Sequence, residues 1–207
     1  HRVKNNLQVI SSMLNMQSRK LSGKPEADLL QESRARIQTM AQVHESLYRS
    51  SDLRHIDLER HVRAIATGLY RLHRVSTVRV GLAIDLAGVQ LEIEQALPCG
   101  MLLNELLENS LAHGYPDGRE GTVTIELEDD GEHYCLRYGD DGVGLADGFD
   151  PESSDTLGTK LIRTFANQLR GQLKRESAPG VRYELRFPKK QQGAGRLKQE
   201  GSETDGG

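Results

Sequence analysis

The hydrophobic period of this chain changes once, near residue 50, and the change divides it. Before that point Val3, Leu7, Ile10 and Leu14 recur at spacings of four, three and four, and Leu30, Ile37, Met40 and Leu47 keep a seven-residue rhythm. Such a seam predicts helices that bury one narrow stripe. Gly23 and Pro25 in "SGKPEAD" interrupt it, so two helices over about 1–21 and 26–50 form an antiparallel hairpin. A lone hairpin has little core; pairing with a second copy gives a dimeric four-helix bundle. His44 lies in the second helix's apolar stripe, where a packed histidine is expected.

Beyond "SSDLRHID" the pattern is mixed. Asp57 can cap a helix running to about Arg74. "TVRVGLAIDL" alternates as a strand, and "EQALPCGMLLNELLENSLAHGY" is a long helix. "TVTIELED" and "HYCLRYGD" are strands joined across "DGE"; "QLKRES" and "VRYELRFP" are strands joined across "APG". A helix is expected between them at about 158–170. The fold class is therefore α+β: a helical hairpin over 1–52, a mostly antiparallel sheet with helices on one face over 53–190, and a disordered tail over 191–207.

Composition removes several functions. A net charge of −3 over 207 residues provides no field for nucleic acid. Cys99 and Cys135 lack metal-ligand spacing and are expected as small apolar residues in a reducing compartment. No apolar run reaches the length of a membrane span. A helix pattern already under way at residue 1, without an initiator Met, suggests a cytoplasmic fragment, any membrane anchor belonging to an upstream region.

Three short elements carry the chemistry. On the long helix Glu105 and Asn109 are four apart, with Ala112 and His113 a turn further on and Leu103, Leu107 and Leu111 opposite. A carboxylate and an amide oxygen stacked this way suit Mg²⁺, although a merely solvated helix face has the same pattern. "GDDGVGL" follows a strand: Asp140 can accept from an exocyclic amine, while Gly142 and Gly144 let the backbone approach a flat base. Gly158 in "LGTKL" opens a helix whose N–H groups can face phosphate. The polar stretch between, "ADGFDPESSD", is expected as a lid. No P-loop, protein-kinase or G-x-G-x-x-G pattern competes.

Together these elements make residues 95–188 resemble the ATP-binding domain shared by histidine kinases, gyrase-type ATPases and related chaperones, the Bergerat or GHKL α/β sandwich. The resemblance implies that Asn109 coordinates Mg²⁺, that Asp140 contacts adenine N6, and that Gly142, Gly144 and Gly158 shape pocket and lid. By the same likeness His113, Leu157, Thr159 and Lys160 line the nucleotide, and Glu105 holds the position that activates water in gyrase-type ATPases. Ala112 stands where kinases carry a basic residue, and Lys160 is the candidate substitute.

"HRVKNNLQVISSML" resembles the phosphoacceptor helix of a histidine-kinase subfamily with an H-R-x-K-N-N box, and the likeness extends through residues 1–188. It implies that His1 is phosphorylated from Mg-ATP, that Asn5 orients water or the phosphoryl group, and that an aspartate of a response-regulator receiver domain accepts the group. His1 lies nearly opposite the Val3–Leu14 seam and so faces solvent, and a neutral imidazole is a competent nucleophile near neutral pH. A gyrase-like ATPase or serine-directed kinase using Glu105, and a silent dimer scaffold, are the alternatives.

Overall fold

The computed structural model describes residues 56–86, 88–145, 156–176 and 179–189, together with Ile37 and Ala41. The hairpin with His1, Asn5 and His44, most of the expected lid, and the C-terminal tail lie outside the described residues.

A two-residue strand β1 (Ile56–Asp57) leads directly into helix α1 (Leu58–Leu72). Asp57 caps α1 as its sequence position suggested: Oδ1 accepts from the Arg60 N–H at 3.0 Å. Leu58, Val62, Ile65, Ala66 and Leu69 recur at three- and four-residue spacing and are all buried. Arg74, at φ +53°, turns the chain out of α1 toward β2 (Val80–Asp85). β3 (Gln90–Leu91) pairs with β1, Ile56 opposite Leu91, in a small antiparallel ribbon. The sequence pattern did not announce this ribbon, because two residues are too few to show alternation.

Helix α2 (Ile93–Asn109) crosses from that ribbon to β4 (Gly121–Asp129), which makes β4 parallel to β2. The remaining pairings are antiparallel: β4 with β5 (His133–Asp140), β5 with β7 (Val181–Pro188), and β7 with β6 (Gln172–Glu176). The sheet order is β2-β4-β5-β7-β6. Helix α3 (Leu157–Gln168) precedes β6 and packs against α2.

Register decides which residues face the helices. Ile125 pairs with Tyr138 and Leu127 with Leu136, while Leu136 in turn pairs with Leu185. All five are buried, in a single core that also holds Leu103 and Leu107 of α2 and Ile162 of α3. Each such leucine contributes about 2 kcal/mol of burial. The two-residue period of β5 then carries Asp140 to the same inner face, opposite Val123. The other face carries charges: Arg137 is 2.8 Å from Glu128 and 3.3 Å from Glu184.

One expectation is corrected. α2 does not have an apolar face opposed by a solvated one; every residue from Pro98 to Leu107 is buried, because α1 and α3 both pack against this helix. Glu105 is 1% exposed, which removes the solvated-face reading for that side chain.

Candidate nucleotide-binding site

Three backbone segments converge around one carboxylate. Asp140 ends β5 and is 4% exposed. Its Oδ1 accepts from the Gly142 N–H at 3.0 Å and from the Val181 N–H at 3.2 Å. Its Oδ2 accepts a short hydrogen bond from Ser110 Oγ. Among the described residues every group on this carboxylate is a donor, and their three bonds leave one of its four acceptor positions for a ligand. The next residue points away: Asp141 Oδ1 accepts from the Thr122 N–H at 2.7 Å and from the Tyr115 hydroxyl at 3.1 Å. That pair fastens the loop to the start of β4, so the two adjacent aspartates have different tasks.

The glycines are there for backbone contact. A Cβ on Gly142 would sit 2.5 Å from the Gly114 carbonyl oxygen, and the Val143 N–H donates to that same oxygen at 2.9 Å. Gly144 has φ +77°, a conformation that favours glycine.

Gly114 closes a π-helical turn, Ser110–Gly114, that continues α2. The wider winding replaces the α-helical step assumed for Ala112 and His113, and both end exposed. Asn109, half-buried, is the last residue before the turn, and Ser110, 4% exposed, is the first within it. The buried hydroxyl of Tyr138 lies 2.7 Å from Ser110 Oγ and 3.1 Å from the Leu106 carbonyl oxygen. Burial, the largest effect on this phenol, pushes its pKa well above the usual value and keeps it a donor. Sequence reasoning passed over Ser110 and Tyr138. The one signal available was a serine directly after the asparagine of E-x-x-x-N.

Helix α3 begins at Leu157, one residue before Gly158, with Thr156 as its cap. The Thr156 hydroxyl takes the Thr159 N–H at 3.4 Å, and the Thr159 hydroxyl donates to the Thr156 carbonyl at 2.9 Å. Gly158 is buried, Thr159 is half-buried, and Leu157 and Lys160 are exposed.

No three His, Cys, Asp or Glu side chains among the described residues group to hold a metal ion. The donor set fits Mg²⁺ bound through one or two protein oxygens with phosphate oxygens and water completing the shell, since Asn109, directly before Ser110, offers a half-buried amide. Cys99 is fully buried and its thiol is pushed up to about 12 by that burial, in line with an inert packing role.

Comparison with known proteins places this geometry. Residues 1–73 match the family model described as histidine kinase, and residues 94–191 match that of the histidine kinase-, DNA gyrase B- and HSP90-like ATPases. Sensor histidine kinase PdtaS of Mycobacterium tuberculosis is 34% identical over 169 residues, 81% of this chain and 33% of that protein. PdtaS of Mycolicibacterium smegmatis is 34% identical over 193 residues, 91% of this chain and 38% of that protein. Among solved structures, the histidine kinase domain of the Erythrobacter litoralis EL346 blue-light activated histidine kinase superposes with a TM-score of 0.66 at 23% identity. That likeness, covering 92% of this chain and 91% of the other, concerns the fold.

This chain therefore belongs to the bacterial two-component sensor histidine kinases, with a GHKL-type ATP-binding domain. It spans about a third of the length of the PdtaS relatives it matches. The match over residues 1–73 favours neither a gyrase-like ATPase nor a scaffold. Among the described residues, no helix is long and apolar enough to cross a membrane.

Proposed function

We propose that this chain is the catalytic core of a sensor histidine kinase that takes the γ-phosphoryl group of ATP onto His1 and passes it to an aspartate of a response-regulator receiver domain. The supporting observation is the Asp140 carboxylate, bonded by donors with one acceptor position left among the described residues and held by Ser110, the residue that follows Asn109. An exocyclic amine fits that acceptor position, and a carbonyl does not.

Asp140 then receives adenine, with Gly142 and Gly144 permitting close approach. Asn109 would hold Mg²⁺, which when bound neutralises charge on the triphosphate. His113, Leu157, Gly158, Thr159 and Lys160 border the phosphates, Lys160 supplying the cation that Ala112 lacks. Glu105, buried one turn before Asn109, is the candidate base of the alternative in which water or a hydroxyl takes the phosphoryl group. The His1 imidazole attacks the γ-phosphorus through its lone pair. The bond to the β,γ-bridging oxygen breaks, ADP leaves, and the one N–H proton on the other ring nitrogen passes to solvent, with Asn5 orienting water or the phosphoryl group. Positioning and charge stabilisation account for most of the rate in such transfers. Residues 1–52 supply the hairpin that dimerises, and residues 53–190 the ATP-binding domain.

Incubation of the whole chain with γ-³²P-ATP and Mg²⁺ should give acid-labile, base-stable label. His1→Gln should lose the label and keep nucleotide binding, and Asn109→Ala should lose the label. Acid-stable label, or label on His1→Gln equal to the parent's, overturns the assignment.

A further inference from the structure

The carboxylate that reads the base is itself held by a hydroxyl relay. Tyr138 and Asp140 are two residues apart on β5 and share its inner face. Between them and α2 sits Ser110, whose Oγ meets the Tyr138 hydroxyl at 2.7 Å and donates to Asp140 Oδ2. The three groups are 3%, 4% and 4% exposed, so their hydrogen bonds form out of bulk solvent.

A serine in or next to a helix has an alternative: its hydroxyl can turn back and donate to the carbonyl four residues earlier. For Ser110 that acceptor is the Leu106 oxygen, and the Tyr138 hydroxyl stands 3.1 Å from it. The single Tyr138 proton is shared between that oxygen and Ser110 Oγ, so the tyrosine occupies the acceptor the backward rotamer needs and leaves the serine's own proton for Asp140. The Gly142 and Val181 N–H groups hold only Oδ1. Without the serine, no donor among the described residues fixes the direction of the remaining lone pair of Oδ2.

We infer that Tyr138 and Ser110 are positioning residues for nucleobase selection: Tyr138 orients Ser110, and Ser110 orients the Asp140 carboxylate toward a base bearing an exocyclic amine. This rests on the adenine-reading role given to Asp140 above. Because Ser110 directly follows Asn109, the relay also ties the base end of the site to the metal end through one peptide bond.

The test measures binding of Mg-ATP and Mg-ITP to the full chain. Inosine triphosphate carries a carbonyl where adenine carries its amine, so it gains nothing from the carboxylate. Ser110→Ala should weaken ATP binding about tenfold, the loss expected for one hydrogen bond to a charged group, and leave ITP within about twofold. Tyr138→Phe should weaken ATP by a similar or smaller factor, again sparing ITP. Ser110→Thr should restore ATP binding. The double variant should bind ATP no worse than Ser110→Ala alone, because Tyr138 acts through the serine.

Losses that multiply in the double variant, or that fall equally on ATP and ITP, overturn the relay and leave a structural role only. Parental binding by Tyr138→Phe overturns the part given to the tyrosine. An unsubstituted chain that binds neither nucleotide overturns the ATP-site reading and the relay with it; one that prefers ATP while Ser110→Ala is unchanged overturns the relay alone.

Discussion

Replacing Gly142 with alanine puts a methyl group 2.5 Å from the Gly114 oxygen and 2.9 Å from the Gly114 carbonyl carbon. These are backbone atoms of the π-helical turn, so relief requires the loop to move. Overpacking of this kind costs about 1–3 kcal/mol. Displacing the loop also loses the Val143 N–H bond to Gly114, worth about 1 kcal/mol. Against this, alanine restricts the unfolded chain and returns roughly 0.5–1 kcal/mol, since residue 142 does not need a positive φ. The net expectation is a loss of about 2 kcal/mol, or roughly 4–8 °C in Tm. The same movement drags the Gly142 N–H from Asp140, so Mg-ATP affinity should fall as well. Gly68→Ala provides the opposite sign: this exposed position in α1 has nothing within 4 Å of a Cβ, and alanine should stabilise by about 0.5–1 kcal/mol without touching nucleotide binding. Thermal unfolding with and without Mg-ATP measures both effects. A Gly142→Ala protein with parental Tm and affinity would refute the claim that the turn and the loop are in rigid contact.

His61 is buried and its imidazole pKa is lowered to about 4 by that burial. The unfolded chain therefore binds the proton first on acidification, and about 3 kcal/mol of stability present above pH 6.5 should be lost as pH falls toward 4. Urea midpoints across that range check the slope, which His61→Leu should flatten. Asp57→Ala removes the cap on α1 and should cost about 1 kcal/mol by urea unfolding. Arg137→Ala breaks two contacts on a half-exposed sheet face, and its effect in the same assay should stay below ~1 kcal/mol.

Much of the ATP-binding half was legible because its signals are local. Asp57 caps where a cap residue precedes an apolar period, and Gly131 at φ +97° and Gly180 at φ +79° sit in the two hairpin turns that "DGE" and "APG" announced. What escaped depends on tertiary neighbours. Nothing in "NSLAHG" specifies a π-helical turn; it forms against the Asp140 loop, through the Gly114 carbonyl. Glu105 read as one half of a polar face, because the pattern of a single helix carries no record of two helices packed against it. The relay through Ser110 was invisible for the same reason: its partners are 28 and 30 residues away.

The small ribbon between β1 and β3 fixes where the described ATP-binding unit begins. Ile56, 3% exposed, is stitched to Leu91 two residues before α2 starts, so the first described residues of the chain are locked to the base of the helix that carries Glu105 and Asn109. A force applied to the chain ahead of Ile56 is therefore delivered to the foot of α2 and not to a loose end.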